Sequence, residues 1–159
     1  MSGEVKSGVN RFREVLEKVG LSSRIVEFSC STRSSEEAAQ AIGCEIGQIV
    51  KSLVFEGAHT HRPFLVLASG ENRVNEKQLE CLVGEPVCKG DAQFVREKTG
   101  FAIGGVPPLG HKEKIETFID QDLEKYEEIW AAAGDPRSVF RLSFQELVEL
   151  TGGRVISVK

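Results

Sequence analysis

Four short amphipathic stretches in this chain carry their own start and stop signals, and that punctuation limits what the chain can fold into. Ser34-Ser35-Glu36-Glu37 has the form of a capping box, with the Ser34 hydroxyl and the Glu37 carboxylate each satisfying the other's backbone N–H. Asn75 with Gln78, Asp91, and Ser143 with Glu146 open three more stretches, and Gly43, Gly84, Gly100 and Gly152 close the same four. An earlier stretch places Val9, Phe12, Val15, Leu16 and Val19 on one helical face and stops at Gly20. Expected helix interiors are Ala38, Ala41 and Ile42; Leu79, Leu82 and Val83; Phe94 and Val95; and Phe144, Leu147, Val148 and Leu150.

Between these helices lie short apolar runs rich in β-branched and aromatic residues. Ile25–Phe28, Ile49–Phe55, Pro63–Ala68, Pro86–Cys88, Thr117–Asp120, Ser138–Leu142 and Arg154–Val158 read as strands. Residues 128–133 have helical propensity, but Gly134-Asp135-Pro136 is a turn with a strand beyond it, so a strand is expected there too. Phe101 to Ile103 reads as a further short buried strand. The expected fold is an α/β (α+β) single domain over residues 1–159, with a mixed, mostly antiparallel sheet or partial barrel flanked by helices.

A net charge of -4 argues against sheathing a long nucleic acid duplex, which takes many Lys and Arg contacts, but leaves room for a local basic patch on one end of an RNA. Cys30, Cys44, Cys81 and Cys88 form no C-x-x-C pair and read as free thiols. Met1-Ser2-Gly3-Glu4 lacks the basic and apolar regions of a signal peptide, and no apolar run is long enough to span a bilayer. The expected location is the cytoplasm, with no membrane and no DNA partner.

Three features stand out as chemistry. Lys51 sits inside an apolar strand, either on a solvated face or where its ammonium has a task. Ser69-Gly70 ends the next strand. The loop from Gly104 to Gly110 combines glycines, which admit another group close to the backbone, with prolines, which stiffen it. Such a loop is either a tight structural turn or a set of fixed N–H donors for a carbonyl or oxyanion. There is no G-x-S-x-G elbow, P-loop, dinucleotide fingerprint or H-E-x-x-H, and His59 and His61 lack a third ligand nearby. No metal, cofactor or covalent nucleophile is expected.

Three segments, taken together, are similar to the YbaK/prolyl-tRNA-editing family: Gln48-Ile49-Val50-Lys51-Ser52-Leu53-Val54-Phe55, Ser69-Gly70-Glu71-Asn72-Arg73-Val74, and Gly104-Gly105-Val106-Pro107-Pro108-Leu109-Gly110. The resemblance runs from about Ser31 to the C-terminal helix and includes Trp130-Ala131-Ala132-Ala133-Gly134. It implies a trans-editing deacylase that hydrolyses the ester of mischarged tRNA, on tRNA(Pro) or a related tRNA, by water attack. It implies that Lys51, Gly104, Gly105 and Pro108 are catalytic. It implies substrate contacts from Ser52, Ser69, Gly70, Val106, Pro107, His111, Thr32, Ala133 and Gly134. The implied partner is the acceptor end of an aminoacyl-tRNA, selected through its acceptor stem or through an aminoacyl-tRNA synthetase. Lys77, Lys89, Arg96, Lys98, Lys112 and Lys114 are the cations available to grip it. Two alternatives stand beside this reading: a module that binds a tRNA 3′ end or a nucleotide without cleaving it, and a hydrolase of free aminoacyl esters.

Overall fold

The computed structural model describes residues 7–159; the stretch Met1–Glu4, read above as lacking a leader, lies outside the described residues. Among the described residues five α-helices form, four of them where the caps predict them and the first where the apolar periodicity does. They are α1 (Gly8–Glu17), α2 (Ser35–Ile42), α3 (Glu76–Val83), α4 (Ala92–Thr99) and α5 (Phe144–Thr151). Both capping boxes are complete, Ser34 with Glu37 and Ser143 with Glu146. Asn75 and Asp91 accept the N–H groups of Gln78 and Phe94. Helix α1 stops at Glu17, short of Val19, which is left exposed. The buried side of α2 is Ser35, Ala38 and Ala39, with Ala41 and Ile42 only half-buried. No helix among the described residues is long and apolar enough to cross a membrane.

Eight strands make one mixed sheet: β1 (Ile25–Glu27), β2 (Ile49–Gly57), β3 (Pro63–Ser69), β4 (Val87–Lys89), β5 (Glu116–Asp120), β6 (Ile129–Ala132), β7 (Ser138–Leu142) and β8 (Arg154–Ile156). The order is β1-β7-β6-β2-β3-β5-β8, with β4 also on β2. Neighbours β1/β7, β6/β7, β2/β3 and β2/β4 are antiparallel; β2/β6, β3/β5 and β5/β8 are parallel.

Strand β2 is the centre. One edge is fully paired with β3, from Val50 opposite Ser69 to Glu56 opposite Pro63. The other edge is shared. At its start Ile49 and Val50 pair with Trp130 and Ala131 of β6; at its end Phe55, Glu56 and Gly57 pair with β4. Lys51, Ser52, Leu53 and Val54 lie in the gap and have no strand partner on that side; the Val54 carbonyl accepts the Gly90 N–H at 2.9 Å instead. Alternation along β2 sends Val50 and Val54 into the larger core, with Phe12, Leu16, Phe94, Phe140 and Leu147. Phe55, with half-buried Leu53 beside it, faces a second core built on Phe64, Leu79 and Phe118.

One expected strand is absent. Phe101–Ile103 is a turn: the Gly105 N–H donates to the Ala102 carbonyl at 3.0 Å, and the Phe101 N–H donates to the Thr99 hydroxyl at 3.0 Å. With the Phe101 N–H and the Ala102 carbonyl spent locally, the segment joins no ladder. Phe101 is buried, but Ile103 projects outward at 37% exposure.

Helix α1 is tied to the sheet through Phe12, whose ring lies 5.1 Å from that of Phe140. Phe12 is fully buried. Phe12→Ala is expected to cost about 3–5 kcal/mol of unfolding free energy, the range for an emptied aromatic site, as read by denaturant unfolding.

Candidate functional site

The break in the edge of β2 opens into a cavity of about 440 Å³. Its floor is Ile49 to Leu53 of β2, with Trp130, Ala131 and Ala132 of β6 and Val139 of β7. One wall is Thr32 to Glu36, entering α2. Another wall is Ile103, Gly104 and Val106 of the glycine-proline loop. A continuous ladder across Lys51–Leu53 would fill this space with backbone.

Lys51 occupies the gap. It shares a face of β2 with Leu53 and Phe55, whereas Val106 packs in the core on the other face. The cavity passes around the open edge and so borders both. The Lys51 ammonium donates to the backbone carbonyl of Asn72, in the turn after β3. That carbonyl is well anchored. The Asn72 side-chain amide donates to Asp120 at 2.8 Å and to Asp122 at 2.9 Å. Asp120 is almost wholly buried at 1% exposure, and it also accepts the Ser69 N–H at 2.9 Å and the Asp122 N–H at 2.9 Å. A buried carboxylate that accepts several N–H bonds is held in one geometry. It therefore fixes Asn72, and through Asn72 the ammonium of Lys51.

Burial pushes the Lys51 pKa below its ordinary value, opposed by the Glu36 carboxylate and reinforced by the nearby cations Lys89 and Arg73. Of the three hydrogens on an ammonium, one is used on Asn72. The other two remain for a ligand. Ser52 also borders the cavity, and its hydroxyl oxygen is buried with no hydrogen-bond partner among the described residues. A buried hydroxyl without a partner is costly and calls for one.

The loop is held from several sides. Arg11 of α1 donates to the Gly100 carbonyl and lies 4.6 Å over the Phe101 ring. Gly105 backs directly onto the β6–β7 turn, where a Cβ would sit 2.5 Å from the Asp135 Cα. Gly104 has φ +90 and is overlaid by the Arg33 side chain. The His111 ring nitrogen Nε2 lies 2.8 Å or less from a carbonyl oxygen, that of Pro107, at 2.7 Å; a carbonyl only accepts, so that nitrogen carries the proton. The N–H groups of Gly104 and Val106 have no partner among the described residues, while that of Gly105 is used on Ala102.

The residues expected at the site thus divide. Lys51, Ser52, Gly104, Val106, Gly70 and Thr32 border the cavity. Gly105 and Pro107 are buried behind it, and Pro108 and His111 border a separate hollow on the far side of the loop. Ser69 is fully buried, with its hydroxyl given to the Gly47 carbonyl at 2.8 Å, so it shapes the turn rather than the cavity wall. Ala133 is buried in the core, and Gly134 is pressed against the backbone of Gly8. Arg33, Glu36 and Trp130 also border the cavity, and Asn72 and Asp120 stand behind Lys51; their roles depend on contacts between distant segments, which spacing does not reveal. Among the described residues no group of three or more His, Cys, Asp or Glu side chains is placed to hold a metal ion.

A sequence model of the aminoacyl-tRNA editing domain family matches residues 30–150. The chain is 30% identical over 131 residues to the uncharacterized protein YwhH of Bacillus subtilis, covering 82% of this chain and 83% of that one. It is 27% identical over 126 residues to EbsC of Enterococcus faecalis, a candidate Cys-tRNA(Pro)/Cys-tRNA(Cys) deacylase, covering 79% and 76% of the two chains. A crystal structure described as that of a candidate trans-editing enzyme for prolyl tRNA synthetase superposes with a TM-score of 0.89 at 45% identity, over 98% of this chain and 99% of that one.

The buried ring of His111 yields a pH dependence. Burial pushes its pKa below the ordinary 6.5, against the opposing Pro107 bond. The unfolded chain therefore takes up this proton at higher pH than the folded one. The stability His111 contributes is complete above pH ~6.5 and is lost as the pH falls from there through the folded value. In denaturant unfolding between pH 7.5 and 5, His111→Gln is expected to show a shallower loss of stability on acidification than the parent chain.

Proposed function

Because the chain belongs to the aminoacyl-tRNA editing domain family, we propose that it is a trans-editing deacylase, an ester hydrolase that frees a wrong amino acid from the 3′ end of a tRNA. The observation that carries this reading is that one cavity is bordered by Lys51, whose ammonium is held by Asn72, and by Gly104 and Val106, whose backbone N–H groups have no partner among the described residues. The aminoacyl group enters the cavity between β6 and the loop. Its carbonyl oxygen faces the Gly104 and Val106 N–H groups. Water adds to the acyl carbon, and the oxygen that gains negative charge is stabilised by those amides. When the intermediate collapses, the C–O bond to the ribose breaks and the departing ribose oxygen takes up the proton released by the attacking water. The products are the free amino acid and a tRNA with its hydroxyl restored.

Lys51 is the positioning cation in this scheme. Its two remaining donors hold the ribose of the terminal adenosine, so that the ester lies against the loop. Among the cavity-bordering residues no Cys is present and no Ser or Thr is bonded to a histidine, in keeping with water as the attacking group. The names of the relatives point to tRNA(Pro) as the tRNA and to prolyl-tRNA synthetase as the enzyme whose errors are removed.

Release of amino acid from a panel of mischarged tRNAs tests this. The chain is expected to deacylate at least one mischarged tRNA(Pro), and Lys51→Ala to lower kcat/KM by about 100-fold or more, the scale for removing a fixed charged donor. Asp120→Asn is expected to give a smaller loss, about tenfold, because Lys51 remains while its support loosens. Binding of uncharged tRNA with no deacylation anywhere on the panel would instead favour a module that holds the 3′ end without cleaving it.

A further inference from the structure

A second cavity, of about 590 Å³, lies on the other side of Lys51. We propose that it is a phosphodiester site that receives the sugar–phosphate chain on the 5′ side of the terminal nucleotide, gripped by Arg73 and Lys89. The assignment rests on the deacylase reading of the first cavity.

Lys51, Leu53 and Gly70 border both cavities, so the two meet at the ammonium. Arg73 enters from the turn after β3, and Lys89 from the end of β4. Both side chains are exposed, and neither has an ion pair among the described residues. Both are near enough to Lys51 for their like charge to oppose its protonation. Two carboxylates also border this cavity. Glu71 is paired with Lys125 at 3.1 Å, and Glu76 lies in the first turn of α3. Three cations thus converge on one cleft in a chain whose net charge is -4. Such local clustering against the overall sign raises the concentration of an anion at that cleft.

The geometry of an aminoacylated 3′ end matches this division. The acyl carbon and the ribose are one oxygen apart, so an ester held at Gly104 leaves its ribose beside Lys51. The 5′ side of that ribose then exits toward the second cavity, where the phosphate meets Arg73 and Lys89. Of the six cations available from the sequence, Lys89 borders this cleft; Lys77, Arg96, Lys98, Lys112 and Lys114 border neither of the two cavities at Lys51.

The test uses the full chain and two non-hydrolysable probes measured by calorimetry: 3′-alanylamino-3′-deoxyadenosine, and the same molecule with a 5′-phosphate methyl ester. The parent chain is expected to bind the phosphodiester probe at least tenfold more tightly at 50 mM salt, with the difference shrinking at 200 mM. The double variant Arg73→Gln/Lys89→Gln is expected to lose that preference while binding the phosphate-free probe within twofold of the parent. Equal binding of both probes by the parent overturns the proposal, as does a double variant that keeps the preference or weakens both probes alike. Adenosine 5′-monophosphate binding as tightly as the phosphodiester probe would assign the cleft to free nucleotides and also overturn it. Deacylation without phosphate preference would reject this site and leave the deacylase reading intact. Phosphate preference without deacylation would do the reverse.

Discussion

A central strand that has no strand partner on one edge for four residues, Lys51 to Val54, is an unusual thing to build a protein around. In β2 the loss is arranged by partners of limited reach. β6 comes in parallel and pairs only with Ile49 and Val50, and β4 comes in antiparallel and pairs only from Phe55 onward. Backbone polar groups left inside a protein need partners, so such a gap persists only where a ligand or water can enter. The cavity, the access to Lys51 and the approach of the loop all follow from that interruption. On its other edge β2 is paired continuously with β3, from Val50 to Glu56, so the strand is held from that side.

Two supports hold the parts around the gap. Behind Lys51, Asp120 gathers the Ser69 and Asp122 N–H groups and the Asn72 side chain, so the turn after β3 is fixed from the neighbouring strand β5. Behind the loop, α1 reaches two places at once: Arg11 holds Gly100, and Gly8 abuts Gly134. Helix α1 precedes residues 30–150, the span the family model covers, yet it braces both the glycine-proline loop and the β6–β7 turn behind it. The site is therefore rigid on its protein side, as a site that orients an ester must be.

The helices were legible because their signals are local. Ser34 and Glu37, or Ser143 and Glu146, sit three residues apart and decide a helix start without outside help. Strand identity was also legible, including Ile129–Ala132, where the turn at residues 134–136 outweighed helical propensity. Phe101–Ile103 was misread because three apolar residues between glycines look the same in a strand and in a buried turn; what separates them is the Thr99 hydroxyl and the Gly105 amide taking the hydrogen bonds. At the site, Lys51 and Gly104 stood out by residue type. Asp120 did not, since its partner Ser69 is 51 residues away, and Arg33 reads as an ordinary surface cation until α2 is folded against the loop.

The account depends on the ammonium of Lys51 and the amides of Gly104 and Val106 acting on one ligand across the open edge of β2. Nuclear magnetic resonance titration with a non-hydrolysable alanyl-adenosine amide reads this directly. The expected result is that the Lys51 side-chain signal and the Gly104 and Val106 amide signals shift together, with one dissociation constant. Shifts at Lys51 with the loop amides unmoved, or two groups of signals with different dissociation constants, would contradict it.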